Sequence, residues 1–259
     1  MRLVNDKNFE TLKYFTADNI HSSDVTGIFT TSGLNFGLVD EKDDEATEGY
    51  KMITSSQGFR EDAVVGLWQK HSDSITAVDE ATVDALSAYS LSEQGDALVT
   101  DVKGVLLSIR IADCAPILFY DGKNKAVGAV HAGWRGAFAQ IGPKTIKRMT
   151  ELYGTNPADI KASIGPAIGV CCYEVSFDFY ENFIQEYGDA ACKFFVLAPD
   201  KKPHFNLKAM NESFLIDAGI PASNIEVSEL CTMCNPDLLH SYRRDGDKSG
   251  RLAAFIGMR

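Results

Sequence analysis

Alternation and periodicity divide the chain into short apolar runs separated by polar turns. Three neighbouring runs dominate, Val105 to Ile111, Ile117 to Tyr120 and Ala126 to Val130. All are short and rich in β-branched and aliphatic residues, which predicts three buried strands rather than helices. The Asp121-Gly122 pair between the second and third is a turn signal and predicts a hairpin. Cys114 and His131 fall where two of these runs stop. After His131 the segment AGWRG carries two glycines and opens a helical pattern from Ala137 towards Tyr153. Its apolar positions are Ile146, Met149, Leu152 and Tyr153, and Gly154 is the stop signal. A glycine-bearing turn into a helix start leaves backbone N–H groups free, which suits an anion.

The flanking pattern is less regular. Leu12 to Thr31 alternates apolar and polar residues, with Val25 to Phe29 predicted as a strand and SGLNFG (32–37) as a loop. The acidic run from Glu41 to Glu48 predicts an exposed helix continuing through Met52, a solvated face rather than a metal site. Ala63 to Trp68 reads as a strand ending in Gln69-Lys70-His71, with Ile75 to Val78 as its partner. Ser176 can cap a helix whose Phe177, Tyr180, Phe183, Ile184 and Tyr187 form a core-facing stripe up to Gly188. Strands are expected at Phe194 to Leu197, Ile225 to Leu230 and Leu252 to Ile256, a helix at Leu207 to Ala218, and a polar turn at Asp245 to Gly250. Strands and helices mix without strict βαβ alternation and no internal repeat appears, so the pattern predicts an α+β fold.

Composition narrows the class. The chain has 259 residues, 45% of them hydrophobic, ample for a sizeable core. Acidic residues outnumber Lys and Arg by 36 to 25, a net charge of −11. That balance argues against nucleic acid or an anionic membrane as partner and leaves room only for a local basic pocket. The first residues lack the apolar core of a signal peptide and no run of about 18 apolar residues occurs, so the expected location is the cytoplasm. Six cysteines (114, 171, 172, 192, 231 and 234) are then expected as thiols rather than a disulfide framework. Cys231 and Cys234 form a CxxC, which reads as structural, as a redox pair or as half of a zinc site.

Cys114 and His131 admit two readings. A buried cysteine commonly packs as a small hydrophobe, and a histidine beside a strand is commonly a hydrogen-bonded core residue. Against this, Asp113-Cys114 ahead of Pro116 interrupts a run that packing alone would have kept apolar. Such local rule-breaking is expected at functional sites.

Four segments carry a resemblance: ADCAPILFYD (112–121) with VHAGWRG (130–136), then IGPAIGVCCYEV (164–175) and CTMCNPDLLHSYRRDGDKSGR (231–251). In this order they resemble the YfiH, or laccase-domain, family, and GDALVT (95–100) is also similar. Members have been labelled multicopper polyphenol oxidases and are better described as zinc-dependent purine nucleoside phosphorylases with adenosine deaminase activity. The resemblance implies one domain over residues 1–259, with central mixed β-sheets flanked by helices and an architecture compared with cysteine hydrolases. Near SGLNFG the family carries an arginine followed by a glycine-rich, serine-containing loop; this chain lacks that arginine and part of the loop, so any contact through that arginine is not carried over.

Matched to the family, His71, Cys114 and His131 are the implied zinc ligands. Two imidazoles and one thiolate leave a fourth tetrahedral position free, as catalytic zinc sites do. The H-x-E and P-C-x-x-C signature of nucleobase deaminases is absent, so the general acid and base are unassigned, with Asp113 the candidate. Phosphorolysis needs cations around phosphate, and Arg135, Arg243 and Arg244 are the candidates because guanidinium binds phosphate through forked hydrogen bonds. Arg135 and Arg243 are preferred because Trp134 and Tyr242 beside them could wall a pocket. The implied substrates are phosphate and purine nucleosides such as adenosine, inosine and methylthioadenosine. Three alternatives stand: a metal-free Cys114/His131 hydrolase or amidase, as for cell-wall precursors, a copper-dependent polyphenol oxidase, and a binding protein whose zinc is structural. Five histidines (21, 71, 131, 204 and 240) are too few for a multicopper cluster. Oligomeric state is left open.

Overall fold

The computed structural model describes all residues except 38–43, 84–86, 88–92 and 198–200. In chain order the strands are β1 (Arg2–Asn5), β2 (Lys13–Thr16), β3 (Val25–Thr30), β4 (Val64–Val65), β5 (Ile75–Ala77), β6 (Ala97–Thr100) and β7 (Leu106–Ile111). They continue with β8 (Ala115–Asp121), β9 (Ala126–Ala132), β10 (Ile160–Ile164), β11 (Phe195–Val196), β12 (His204–Phe205), β13 (Ile225–Val227) and β14 (Leu252–Met258). The α-helices are α1 (Asp44–Gln57), α2 (Trp134–Phe138), α3 (Ile141–Tyr153), α4 (Phe177–Tyr187), α5 (Leu207–Asp217) and α6 (Tyr242–Asp245). One mixed sheet has the order β1-β2-β3-β14-β7-β4 and a second β13-β10-β8-β9-β6-β5, while β11 and β12 pair separately. Mixed sheets flanked by helices agree with the α+β class the sequence pattern predicts and with the architecture the family resemblance implies.

The layering follows from strand alternation, because successive side chains point to opposite faces. In β7, Leu107, Ile109 and Ile111 enter a cluster shared with Leu98 of β6, Leu118 of β8 and Val127 and Ala129 of β9, so the two sheets face each other across it. The opposite face of the first sheet, with Leu106 and Phe255, packs under Tyr50 and Ile53 of α1. The opposite face of the second, with Ile117, Phe119 and Val130, packs under Ile146 and Met149 of α3, Phe183 of α4 and Met210 of α5. The order is therefore helix, sheet, sheet, helices. Strands covered on both faces read as continuous apolar runs, which is why the three central runs lack alternation.

Several expectations shift in detail. The Asp121-Gly122 hairpin forms between β8 and β9; the Asp121 carboxylate accepts the Lys123 and Asn124 N–H groups, and Lys125 takes the left-handed turn. The runs 63–68 and 75–78 are not partners: β4 pairs with β7 in the first sheet and β5 with β6 in the second. The helix after AGWRG starts earlier, at Trp134, and is split in two at Gln140, whose φ is 57°. Gly154 closes α3 in the left-handed conformation, as expected. Ser176 caps α4 by accepting the Phe179 N–H, also as expected. Within the α4 stripe only Phe183 is buried, and Phe177 is exposed because its position falls on the outer face of the first turn. The acidic helix α1 is not purely solvated, since Ala46, Tyr50 and Ile53 are buried; residues 41–43 of that run lie outside the described residues. Among the described residues no helix is long and apolar enough to cross a membrane.

Candidate metal centre and cavity

Antiparallel register brings Cys114 and His131 together. Ala115 pairs with Ala132 and Pro116 with His131, so the start of β8 lies beside the end of β9. On the other side of β9, Ala97 pairs with Val130, which sets Asp96 beside His131. His71 comes from the connection between β4 and β5. The coordinating atoms of His71, Cys114 and His131 all lie within 4.8 Å of one another. The two imidazole rings meet edge to face at 4.9 Å. Gly133 is required at this spot, because a Cβ there would stand 2.8 Å from Cys114 Sγ and 3.0 Å from His71 Cδ2.

Asp96, fully buried, organises the centre. Its carboxylate accepts backbone N–H groups of Lys70, His71 and Ser72 at 3.2, 3.0 and 2.6 Å, and the Ser72 hydroxyl at 2.6 Å. It also pairs with His131 Nδ1 at 2.8 Å, leaving Nε2 as that ring's free nitrogen. His71 sits at a left-handed φ of 59°, held there by this carboxylate. Gln69 adds a second clamp, its amide bonding both the N–H and the carbonyl of Arg110 at 2.8 and 2.7 Å.

The electrostatics reinforce one another. Burial raises Asp96, but hydrogen bonds from His131 and Ser72 outweigh it and hold the carboxyl down at about 2. Burial would also raise the Cys114 thiol; the charge and hydrogen bonds of His131 and His71 bring it down to about 6. Burial lowers His131, while the Cys114 thiolate and the Asp96 carboxylate push it up to about 9. The pair therefore favours a thiolate beside an imidazolium, the state a metal ion would replace by taking the proton's place.

These three side chains open into a cavity of about 710 Å³. It lies at the end of the sandwich where β3 stops, β14 starts and β7 stops. Arg110, Arg243 and Arg251 line it together with Trp68, Tyr173 and Tyr242, and Asp113 is the one carboxylate among its described lining residues. A chain of net charge −11 thus has a locally basic cavity.

The remaining site expectations divide. Tyr242 and Arg243 line the cavity, and the Arg243 guanidinium lies 5.2 Å from the Tyr173 ring centre. Asp113 anchors the wall: it accepts Thr232 Oγ1 at 2.5 Å and the Arg243 N–H at 2.6 Å. Arg244 is spent on structure, donating to the carbonyls of Thr232, Met233 and Leu239 and pairing with Asp245. Arg135 is exposed over the Trp134 ring at 4.8 Å, and neither residue is among those lining the cavity. The cations missed from sequence are Arg110 and Arg251. Arg251 closes a motif already singled out, but only the fold carries it beside residues 35–37, where Asn35 accepts its N–H at 2.8 Å.

The donor set fits a single zinc ion. Imidazole and thiolate are its usual ligands, and a carboxylate on the second nitrogen of a ligating histidine is its usual support. A multicopper cluster does not fit, because His204 bonds the Val170 carbonyl and His21 accepts the Gly27 N–H, and among the described residues only His71 and His131 join a ligand group here.

A cysteine and two histidines held by a buried carboxylate, facing an arginine-lined cavity, form a candidate metal centre of three ligands. The chain belongs to the family described as multi-copper polyphenol oxidoreductase laccase, whose model matches residues 17–259. It is similar to the purine nucleoside phosphorylase YlmD of Bacillus subtilis (strain 168), 33% identical over 259 residues, covering 99% of this chain and 91% of the relative. It is also similar to adenosine deaminase RL5 of an unknown prokaryotic organism, 32% identical over 239 residues, covering 90% and 89%. The crystal structure of the Bacillus licheniformis hypothetical protein YfiH superimposes with a TM-score of 0.83 at 33% identity, covering 91% of this chain and 93% of that one.

Proposed function

We propose that this chain is a zinc-dependent purine nucleoside phosphorylase that also deaminates adenosine, with adenosine, inosine and related nucleosides such as methylthioadenosine as substrates. The observation that carries this reading is the placement of a His71, Cys114 and His131 centre at the wall of a cavity bearing Arg110, Arg243 and Arg251. The names of the relatives above support it.

In phosphorolysis a phosphate oxygen attacks the anomeric carbon, the glycosidic C–N bond breaks, and the purine leaves with the bonding electrons and gains a proton. Arg243 and Arg251, each with Nη1 held by backbone carbonyls, present their remaining guanidinium N–H groups to the phosphate, and half-buried Arg110 adds charge behind them. Trp68, Tyr173 and Tyr242 supply flat apolar walls for the base. Asp113 orients Arg243 through its backbone N–H. His71, Cys114 and His131 would hold the zinc, which supplies a Lewis acid with one open position. Asp96 keeps His131 in the tautomer whose Nε2 is unprotonated and free to bind the metal.

A second reading rests on one observation: Cys114, His131 and Asp96 also form a nucleophile, base and orienting carboxylate in sequence, with the thiol lowered to about 6. Incubating adenosine with and without phosphate separates the two. The phosphorylase reading expects free base and ribose 1-phosphate only with phosphate, slower inosine formation without it, and loss of both on chelation. No nucleoside turnover, together with a Cys114-dependent amide cleavage that survives chelation, would replace it by the thiol hydrolase.

A further inference from the structure

A second group of four cysteines lies away from the His71, Cys114 and His131 centre. Cys171 and Cys172 follow Gly169 in a turn closed by the Cys172 and Tyr173 N–H groups on the Gly169 carbonyl. Cys231 and Cys234 come from the segment that bridges to Ala167. All four sulfurs lie within 4.8 Å of one another, with Cys234 Sγ 3.6 Å from Cys171 Sγ and 3.3 Å from Cys172 Sγ. Zinc–sulfur bonds of about 2.3 Å in a tetrahedron place neighbouring sulfurs about 3.8 Å apart, whereas a disulfide needs about 2.0 Å. The spacing is that of a tetrathiolate cage and not of a disulfide pair.

The surroundings are shaped to the same end. The Gly169 N–H donates to Cys231 Sγ at 3.2 Å. A side chain at Gly169 would put its Cβ 3.0 Å from both Cys171 Sγ and Cys231 Cβ, so the close approach of the two segments needs glycine there. Lys208, buried, donates its ammonium to the Ser228 and Leu230 carbonyls, the second directly before Cys231; burial lowers its pKa, and negative charge on Cys231 and Cys171 would oppose that. A buried cation here offsets part of the negative charge that four thiolates keep around a divalent ion.

From this geometry we infer that Cys171, Cys172, Cys231 and Cys234 bind a second zinc ion, a closed structural site that ties the 169–173 turn to the 231–235 segment. Four protein sulfurs leave no open position, which is the mark of a structural rather than catalytic site. Binding releases the thiol protons to solvent and leaves each sulfur unoxidised. The tie matters to the cavity because both segments reach its wall. Ile168 donates its N–H to the Asp113 carbonyl at 2.9 Å, and Thr232 bonds the Asp113 carboxylate that holds Arg243. The inference is independent of the proposed reaction.

Metal content per chain tests it on protein purified in reducing buffer without added metal. The expected values are about two zinc ions for the wild type and about one each for Cys114→Ser and for the double variant Cys172→Ser/Cys234→Ser, each losing a different ion. A double variant that keeps the wild-type metal content overturns the inference. A measurement needing no variant uses thiol alkylation of the native zinc-loaded chain. Cys171 and Cys234 are exposed, like Cys192. They should nevertheless resist alkylation until zinc is removed, while Cys192 reacts at once. Alkylation of all three at the same rate, or a disulfide within the cluster in unreduced protein, overturns it.

Discussion

Replacing Asp96 by Asn tests how the centre is held without touching a ligand. Asn has the same shape but presents one acceptor and one donor where the carboxylate presents two acceptors. One Asp96 oxygen faces His71 N–H and His131 Nδ1, the other Lys70 N–H, Ser72 N–H and the Ser72 hydroxyl. Either orientation of the amide therefore sets an NH2 against backbone N–H groups. In one orientation it also forces His131 Nδ1 to accept, moving the ring proton to Nε2, where the metal must bind. Loss of one charged buried hydrogen bond costs about 1.5–3 kcal/mol. Loss of a supporting partner of a ligating histidine lowers metal affinity about 10- to 100-fold, about 1.4–2.8 kcal/mol, so the two routes agree. Competition of the Asn variant against a chromophoric zinc chelator at neutral pH measures this directly. A zinc affinity within about twofold of wild type, with the fold intact by circular dichroism, would refute the role given to Asp96. The acid limb of stability should move as well. Asp96 is lowered from 3.8 to about 2, so its stabilisation is complete above 3.8 and disappears as pH falls through about 2; the Asn variant should lack that component.

Gly133→Ala should lower zinc retention while leaving far-ultraviolet circular dichroism unchanged, because its Cβ would crowd Cys114 Sγ at 2.8 Å; wild-type retention would show that the ligands have room to move. Arg251→Ala and Arg243→Ala should each raise the KM for phosphate by about tenfold or more, with a smaller effect on nucleoside, in steady-state assays; an unchanged phosphate KM in both would remove them from the anion site. Zinc affinity should climb with pH between about 6 and 9, because there the metal-free pair keeps a proton on His131 while Cys114 is a thiolate, and binding must release it. Chelator competition stepped through that window should show close to a tenfold gain per pH unit, and a flat profile would contradict the assignment.

The central hairpin, its turn, the caps at Ser176 and Gly154 and the fold class were legible because each rests on local chemistry: β-branched runs, a hydroxyl ahead of a helix, a glycine after one. The pairing of β4 and β5 into different sheets was not, because both are short and register between distant strands has no local signal. The break at Gln140 was missed for a related reason, since the apolar spacing of α2 and α3 continues across it. Cys114 and His131 drew attention where two apolar runs stop, but His71 and Cys114 lie in separate connections and His131 near the end of β9, so their grouping as ligands came from motif resemblance rather than spacing. Asp96 lay inside a segment already noted as similar to the family, and a carboxylate directly ahead of an apolar strand was the signal that could have singled it out. Arg110 could not be separated from an ordinary strand residue, because only alternation within a two-sided sheet turns it towards the cavity. Arg135 was a candidate because it follows the glycine turn after His131 and was ranked above Arg244 for its adjacent aromatic, but adjacency along the chain does not fix which way a side chain faces in the first turn of α2.

The phosphate dependence of base release from inosine by the zinc-loaded chain decides whether it is a phosphorylase. The initial rate should rise from near zero to saturation with phosphate, yield ribose 1-phosphate in equal amount to hypoxanthine, and be abolished in Cys114→Ser. A rate of base release that is the same without phosphate, or that persists in the Cys114→Ser variant, would contradict it.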